Sequence, residues 1–287
     1  MHSFSIRDIE NLSGIKAHTL RIWEQRYGLS ISKRKESQHR YFDNEDLKHI
    51  LRIAYLYNHG FKISRIAGYS PAEIVEFAAG LSSPDQHEVL LRKLLEASLD
   101  YDQGRFEKLY ARATVAMNLE ACMEHVIYPF LHKVGLLWMT NHVLPAQEHF
   151  CTHLFTKTIL SATDSLPFAE PGSKRVALFT PEGEDHEISL LFIQYLLKKR
   201  GLKTVMLGRQ VPISVIEEYC AVQPVSHLYF HLITHCSKLT ARQYLDQVSA
   251  RLPGKKILAS GPGLKEIQSS ENIVVFSSPG ELMKYSF

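Results

Sequence analysis

Cysteine is scarce in this sequence and has no paired spacing. The chain has 287 residues and four scattered cysteines, and no two of these form a Cys-x-x-Cys pair. A disulfide framework and a thiolate zinc site are both disfavoured, and the pattern is typical of a reducing cytoplasm. Long apolar runs are also missing, since none reaches the roughly 18 residues that a membrane crossing requires. The first residues carry no signal-peptide pattern, so we expect a cytoplasmic protein without a membrane partner.

Internal repeats and low-complexity tracts are absent as well, and the composition is that of a globular protein. Hydrophobic residues make up 45% of the chain and charged residues 22%, which disfavours a disordered chain. The length suits two or three domains. Residues 1–80 have the pattern of short helices, residues 84–168 that of long helices, and residues 174–287 that of alternating strands and helices. We therefore predict three domains with these bounds.

Positive charge is concentrated at the start of the chain. Residues 1–70 hold 12 Lys and Arg against 7 Asp and Glu, a net charge of +5. The remaining residues hold 21 basic and 23 acidic side chains, a net charge of −2. A basic segment on a nearly neutral body favours contact with a polyanion, although chance clustering on a solvated surface would give the same count.

The first segment predicts two short helices around a glycine. Ser5 is suited to cap a helix from Ile6 to about Leu12, and a second helix spans Ala17 to about Arg26, with Gly14 in the turn between them. Such a pair is a helix-turn-helix, whose second helix enters the major groove of DNA. A basic stretch that ends at Tyr41-Phe42 follows and predicts a two-stranded wing.

Basic and polar side chains of this segment are the candidates for the DNA interface. Lys16, His18 and Thr19 lie at the start of the second helix, where base edges are read. Trp23 repeats with the apolar positions and is assigned to the core. Phosphate contacts are expected from the arginines, because roughly half to two-thirds of protein–DNA hydrogen bonds go to the backbone. These arginines are Arg21, Arg26, Arg34 and Arg40.

Two parts of this segment resemble a known family. The run Thr19–Gly28 (TLRIWEQRYG), followed by Arg40–Phe42 (RYF), is similar to the winged-helix head of MerR-family transcription regulators. Tyr27 and Tyr41 lie within these two runs and complete the predicted DNA interface. The resemblance implies a regulator that binds double-stranded promoter or operator DNA. Symmetric pairs of heads, within a dimer or tetramer, would read an inverted repeat.

The middle of the chain predicts a four-helix bundle. Apolar positions recur at helical spacing in four segments joined by short loops. Pro129 lies inside the third segment and predicts a kink or break there. The predicted segments are Asp85–Tyr101, a helix opening near Phe106, Leu119–Leu137 and Ala146–Ala162.

Trp138 and the pair Glu148-His149 form a less ordinary pattern in the bundle. A lone Trp before a helix is usually core, and a Glu-His pair on a helix is usually a surface pair. The spacing nevertheless resembles the helical cap of cobalamin-binding photoreceptor regulators. That resemblance implies that Trp138 packs on the upper face of the corrin and that Glu148 and His149 lie close by. Met139 stands where light-sensing members have a His, so photochemistry between two histidines is not expected.

The last segment predicts a parallel, doubly wound α/β sheet. Five short apolar strands alternate with helices, and ligands of such sheets bind at the carboxyl ends of the strands. The predicted strands are Lys174–Thr180, Thr204–Leu207, Val225–Ile233, Lys256–Ala259 and Ile273–Phe276.

The loop after the first of these strands carries Glu184 and His186. A loop His at a carboxyl edge can offer its imidazole to a metal while a carboxylate two residues earlier orients it; a helix-capping polar loop is the plainer interpretation. The loop resembles the Asp/Glu-x-His-x-x-Gly motif of cobalamin-binding domains, with Ser189 in place of Gly. The resemblance implies that His186 binds cobalt and that Glu184 and Ser189 belong to the cofactor site.

Two further motifs of that family are altered here. The Ser-x-Leu that lines the channel for the nucleotide tail falls near His231-Leu232-Ile233, where a His would crowd the tail. The later Gly-Gly falls near Ser260-Gly261, so only Gly261 is kept as a cofactor-site residue. Retention of cobalamin, as adenosylcobalamin or another form, is therefore left open by the sequence.

Three functions compete at this point. The first is a DNA-binding regulator, a repressor by analogy, whose cobalamin-type domain controls oligomerisation and DNA binding. The second is a MerR-type regulator without a cofactor, whose last domain serves oligomerisation or protein partners. The third is a subunit of a cobalamin-dependent methyltransferase or mutase, which the basic head disfavours. We favour the first, in which no residue is catalytic.

We expect Arg40→Ala to weaken binding to all duplex sequences by a similar factor, because a phosphate contact carries no base information. The slope of log affinity against log salt should become shallower by about one unit. A filter-binding series at several salt concentrations measures both, with Lys265→Ala, outside the head, as the control. Unchanged affinity and slope in Arg40→Ala would refute the assignment.

Overall fold

The computed structural model divides the chain into two compact units. Residues 1–154 form the first unit and residues 155–287 the second. The domain bounds inferred from the sequence remain predictions. The described residues are 4–29, 32–34, 40–80, 86–139, 145–234, 236 and 239–287.

The first unit begins with the predicted helix-turn-helix and wing. Ser5 caps the first helix, and its side chain and that of Asp8 form a reciprocal capping box. Gly14 ends that helix with φ 73°, a left-handed conformation that favours glycine. The wing strands pair antiparallel, with Lys33 opposite Tyr41. These elements are α1 (Ile6–Ser13), α2 (Ala17–Tyr27), β1 (Lys33–Arg34) and β2 (Arg40–Tyr41).

Three more helices complete this head. They are α3 (Asn44–Asn58), α4 (Ile63–Ile66) and α5 (Pro71–Gly80). Trp23 is 3% exposed and meets the Tyr57 ring edge-on with centroids 4.9 Å apart, which confirms its core position. A separate α5 was not predicted. Its signal was present in the sequence, because Ser70 and Glu73 form a reciprocal cap and Pro71 suits the first turn.

Four helices and one π-helical turn follow, which confirms a helical middle segment. The break expected at Pro129 lies just before it, as a π-helix over Met123–Ile127. Proline lacks an N–H and its ring clashes with the carbonyl four residues back, so the preceding turn widens. A second break lies at Asn118, where φ is 61°. The helices are α6 (Gln86–Leu99), α7 (Gln103–Cys122), α8 (Tyr128–Met139) and α9 (Pro145–Asp164), the last of which crosses into the second unit.

The second unit is built on a five-stranded parallel sheet, as predicted. Its strand order is β4-β3-β5-β6-β7, and every neighbouring pair is parallel. The order reverses between β3 and β5, which makes their carboxyl ends the usual binding crevice of such a sheet. The strands are β3 (Arg175–Pro181), β4 (Lys203–Val211), β5 (His227–His231), β6 (Lys256–Ser260) and β7 (Ile273–Phe276).

Helices cover both faces of this sheet. On one face α11 and α12 pack on side chains such as Phe179 and Phe230 through a buried apolar core. On the other face α10 contacts β3 and β5, and α13 contacts β7 and α10. The helices are α10 (Ile188–Lys199), α11 (Ile213–Val222), α12 (Ala241–Arg251) and α13 (Pro279–Lys284).

A buried carboxylate joins the head to the helical segment within the first unit. Glu96 of α6 is 2% exposed and accepts hydrogen bonds from three arginines. Arg52 of α3 donates at 3.0 Å, Arg92 of α6 at 2.8 Å and Arg105 of α7 at 3.1 Å. Burial would raise the pKa of Glu96, but the arginines lower it. The carboxylate is therefore ionised and fixes α3 against α6 and α7.

Two lysines add to this junction. Lys48 of α3 is 6% exposed and pairs with Asp100 at 2.7 Å. Lys133 of α8 donates to the carbonyl oxygen of Leu12, near the end of α1, at 3.1 Å, and burial lowers its pKa. Both contacts hold helices of the head against helices that follow it.

Glu96→Gln should destabilise the first unit by roughly 3 kcal/mol, because it leaves buried guanidinium groups without their anion. Both tryptophans, Trp23 and Trp138, lie in this unit, so their fluorescence during urea unfolding reports on it selectively. Glu76→Gln, on the exposed side of α5, should change the free energy of unfolding by less than about 0.5 kcal/mol. Equal effects of the two substitutions would contradict the role given to Glu96.

Candidate nucleic-acid and ligand sites

The start of α2 carries the three predicted base-reading residues on accessible positions. His18 is exposed and Thr19 half-buried. Lys16 precedes the first residue of the helix, and its ammonium group pairs with Glu10 of α1 at 2.9 Å. Glu10 also accepts from the backbone N–H of Ala17 at 3.0 Å. This acid fixes the start of α2, a role that the sequence analysis missed.

The predicted phosphate-binding residues fall into two groups. Arg21, Arg26 and Tyr27 are exposed on α2. Arg40 of the wing is half-buried and donates from Nε to Glu24 of α2 at 3.1 Å. Tyr41 is half-buried, and Arg34 lies in β1 with its side chain outside the described residues.

Glu10 and Glu24 thus hold two of the predicted cations by ion pairs. Both pairs are partly solvated, so each contributes little to stability. These ion pairs fix the positions of side chains, and the Arg40–Glu24 pair also holds the wing against α2. The exposed arginines of α2 and the paired arginine of the wing therefore belong to one connected surface.

The helical segment carries the second group of predicted residues. Glu148 and His149 lie in the first turn of α9, and Oε2 of the acid is 3.1 Å from Nδ1 of the imidazole. The His149 side chain is exposed and that of Glu148 half-buried. Trp138 and Met139 end α8, with their side chains outside the described residues.

Glu184, in the loop after β3, has no exposed surface. Its Oε2 accepts hydrogen bonds from the backbone N–H of Ile233 at 2.7 Å and of Thr234 at 2.8 Å, in the loop after β5. The Thr234 hydroxyl adds a contact at 3.2 Å. One carboxylate therefore bridges the two loops at the point where the strand order reverses.

The other oxygen of Glu184 orients His186. Oε1 accepts from the backbone N–H of His186 at 2.9 Å and contacts Nδ1 of its ring at 2.5 Å. An ionised carboxylate only accepts hydrogen bonds, so Nδ1 carries the proton and Nε2 carries the lone pair that could bind a metal. The imidazole is half exposed.

The charge on Glu184 is maintained by these donors. Burial would raise its pKa, but the hydrogen bond from His186 and those from the backbone of Thr234, His186 and Ile233 lower it to about 2. The pair has the form of an imidazole ligand held by a second carboxylate, as metal-binding histidines usually are. This donor set would suit a cobalt corrinoid held through one protein nitrogen, which is the group that the resemblance implies. Within the described residues, no cluster of three or more His, Cys, Asp or Glu could hold a metal ion.

A third polar group lies at the ends of β5 and β6. His231 is half-buried, and its Nδ1 is 2.8 Å from the hydroxyl of Ser260, its neighbour across the strands. The hydroxyl of Tyr229, which is fully buried, also bonds to Ser260. Burial lowers the pKa of His231 to about 4, so its ring is neutral at pH 7. The contact between these three side chains was not foreseen, although the alteration of positions 231 and 260 was noted.

The remaining predicted cofactor residues have structural contacts. Ser189 is buried in the first turn of α10. Gly261 has φ 119°, and a Cβ there would lie 2.2 Å from the carbonyl oxygen of Leu232. Glycine at 261 is thus required by a close approach of the loops after β5 and β6. A cofactor role for either residue stays a prediction.

Two family models match the chain. The MerR HTH family regulatory protein model matches residues 4–73, and the B12 binding domain model matches residues 90–160. None of the helices within the described residues has the length and apolar character of a membrane span.

Relatives share this organisation over most of the chain. The HTH-type transcriptional repressor CarH of Myxococcus xanthus is 26% identical, over 73% of this chain and 72% of CarH. The repressor CarA of the same organism is 28% identical, over 75% of this chain and 71% of CarA. The monomethylamine corrinoid protein of Methanosarcina barkeri shares the fold, with a TM-score of 0.50 and 15% identity over 68% of this chain and 95% of that protein.

Glu184→Gln should destabilise the second unit at neutral pH. The folded pKa of about 2 lies below the ordinary value near 4.3, so the carboxylate contributes about 3 kcal/mol above pH 5, and this is lost as pH falls towards 2. Urea unfolding followed by circular dichroism at pH 7 and pH 3 measures it. The gap between the two proteins should narrow at pH 3.

Glu182→Gln is the matched control, because Glu182 is exposed in the same loop. It should leave the free energy of unfolding within about 0.5 kcal/mol of the native protein at both pH values. A gap between Glu184→Gln and the native protein that does not change with pH would show that Glu184 is not the charged bridge described above.

Proposed function

Because the chain joins a MerR-type DNA-binding module to a B12-binding module and is homologous to the repressors CarH and CarA, we propose that it represses transcription from promoter DNA under the control of a cobalamin-type sensor. The observation that carries this proposal is the accessible basic surface of α2 and the wing, on the same chain as the buried Glu184 that orients the half-exposed His186. The first supplies contact with duplex DNA, and the second supplies a ligand for a metal cofactor.

The DNA-binding step follows from the geometry of the head. The exposed side chains Arg21, Arg26 and Tyr27 lie along α2 and meet the backbone on either side of the major groove. His18 and Thr19, at the start of α2, read base edges. Arg40, held by Glu24, places the wing on an adjacent phosphate. Two or four copies of the chain act on an inverted repeat in the cytoplasm, as symmetric operators require.

In the second unit, His186 would bind cobalt through Nε2, and Glu184 keeps the Nδ1 proton in place. Trp138, Glu148 and His149 are cofactor residues by resemblance alone. When bound, a corrinoid would supply a cobalt ion that changes its ligands with its chemical state. Met139 offers a thioether in place of an imidazole, so a light response through a second histidine is not part of this proposal.

We assign no catalytic role to Glu148, His149 or His186, since the homologues CarH and CarA are transcription regulators. A regulator without a cofactor is the second candidate function. Two observations favour it: Ser189 is buried where the cobalamin motif has Gly, and His231 and Ser260 are bonded to each other at the altered motif positions.

The test uses the full chain and a duplex from its own upstream region. We expect a gel shift that weakens steeply with salt and exceeds the shift of a scrambled duplex. The protein is also mixed with adenosylcobalamin in the dark, desalted and scanned in the visible range. A retained corrin band that His186→Ala removes, and that His132→Ala on the exposed side of α8 keeps, supports the sensor.

Two results would change the proposal. Absence of salt-sensitive binding to any duplex would refute the regulator. A native protein that stays colourless with both adenosylcobalamin and diaquacobinamide but still shifts the duplex would refute only the cofactor and would leave the second candidate function.

A further inference from the structure

Tyr229, His231 and Ser260 form a polar group near the Glu184–His186 pair. This group affects which corrinoid the domain accepts, and that inference rests on the proposed function. Cobalamin carries a nucleotide whose base binds cobalt from below. An imidazole from the protein displaces that base, and the displaced nucleotide then needs space next to the histidine. In this domain the neighbouring space is the crevice between the loops after β3, β5 and β6.

His231 occupies this crevice. It ends β5, two residues before Ile233, whose N–H is bonded to Glu184 at 2.7 Å. Its ring interacts electrostatically with both Glu184 and His186. The hydrogen bond to Ser260 at 2.8 Å fixes the ring against the end of β6.

Tyr229 also bonds to Ser260, so Tyr229, Ser260 and His231 form a row of side chains that extends into the sheet. Side chains two apart on a strand share a face, so Tyr229 and His231 point to the face opposite Phe230, which packs in the core of α11 and α12. The Tyr229 hydroxyl and Nδ1 of His231 both bond to the hydroxyl of Ser260. The three side chains therefore form one hydrogen-bonded row.

The side chains behind this row are buried. Side chains of β3, β5, β6 and α10 that lie there are less than 1% exposed, namely Val176, Leu178, Tyr229, Leu258, Leu190 and Leu197. The loops above it also meet, because Gly263 donates to the Leu232 carbonyl at 3.0 Å and Gly261 approaches the same carbonyl closely. A nucleotide that enters this crevice would have to displace the His231 ring and break its bond to Ser260.

We propose that Tyr229, His231 and Ser260 are specificity-determining residues that close the space for a nucleotide, so that this domain takes corrinoids without a buried nucleotide tail. The ligand class is the incomplete corrinoid, with cobinamide as its simplest member. His186 binds its cobalt, and no base has to be displaced or housed.

The test compares diaquacobinamide with hydroxocobalamin by visible titration of the full chain. The native protein should bind the cobinamide at least tenfold more tightly. His231→Ser removes the ring and should tighten cobalamin binding at least tenfold while changing cobinamide binding less than twofold. His231→Gln keeps the bulk and a polar group near Ser260, so it should behave as the native protein. Circular dichroism verifies that each variant is folded.

A preference for cobinamide alone does not prove closure, because cobalamin must also release its base. The response to His231→Ser is therefore decisive. Cobalamin affinity that is unchanged or weaker in His231→Ser would overturn the closure and leave the regulator and its cobalt ligand in place. Failure of both corrinoids to bind the native protein would overturn the closure together with the cofactor, while DNA binding would still test the regulator separately.

Discussion

A carboxylate with no contact to solvent holds together the loops at the carboxyl edge of the sheet in the second unit, where we propose that the ligand binds. Glu184 accepts hydrogen bonds from backbone N–H groups of two loops and from the ring of His186. Without these donors the charge could not be buried, because isolated ions are too strongly hydrated. The same contacts fix the distance between the loops after β3 and β5 and the tautomer of the imidazole. Nε2 of His186, the proposed metal-binding nitrogen, is thereby oriented before any ligand arrives.

The first unit also depends on a buried carboxylate, which joins helices there instead of loops. Glu96 is buried under three arginines, one of which comes from α3 of the DNA-binding head. Removing the charge would leave cations without a partner, so the contact resists sliding of α3 over α6 more than an apolar surface would. The α2 surface that faces DNA takes no part in this junction. The head can therefore be held firmly by the helices that follow it while its reading surface stays accessible.

Patterns local in sequence predicted most of the fold. The helix-turn-helix, the wing, the helical middle and all five parallel strands follow from caps, glycines and apolar periodicity, which act over a few residues. Contacts between distant segments could not be predicted in this way. Glu24 with Arg40, Glu96 with Arg52, and His231 with Ser260 each join residues that only the folded chain brings together. The π-helix before Pro129 is intermediate, because the proline was noted but the turn that accommodates it was not.

The central claim is that the DNA surface and the corrinoid site are coupled through one chain, and thermodynamic linkage tests it most directly. The affinity for the operator duplex is measured with and without saturating corrinoid, and the affinity for the corrinoid with and without saturating duplex. Coupling requires the same factor in both directions, typically between 5-fold and 150-fold. If saturating corrinoid leaves the affinity for duplex unchanged, the two sites are independent and the account is contradicted.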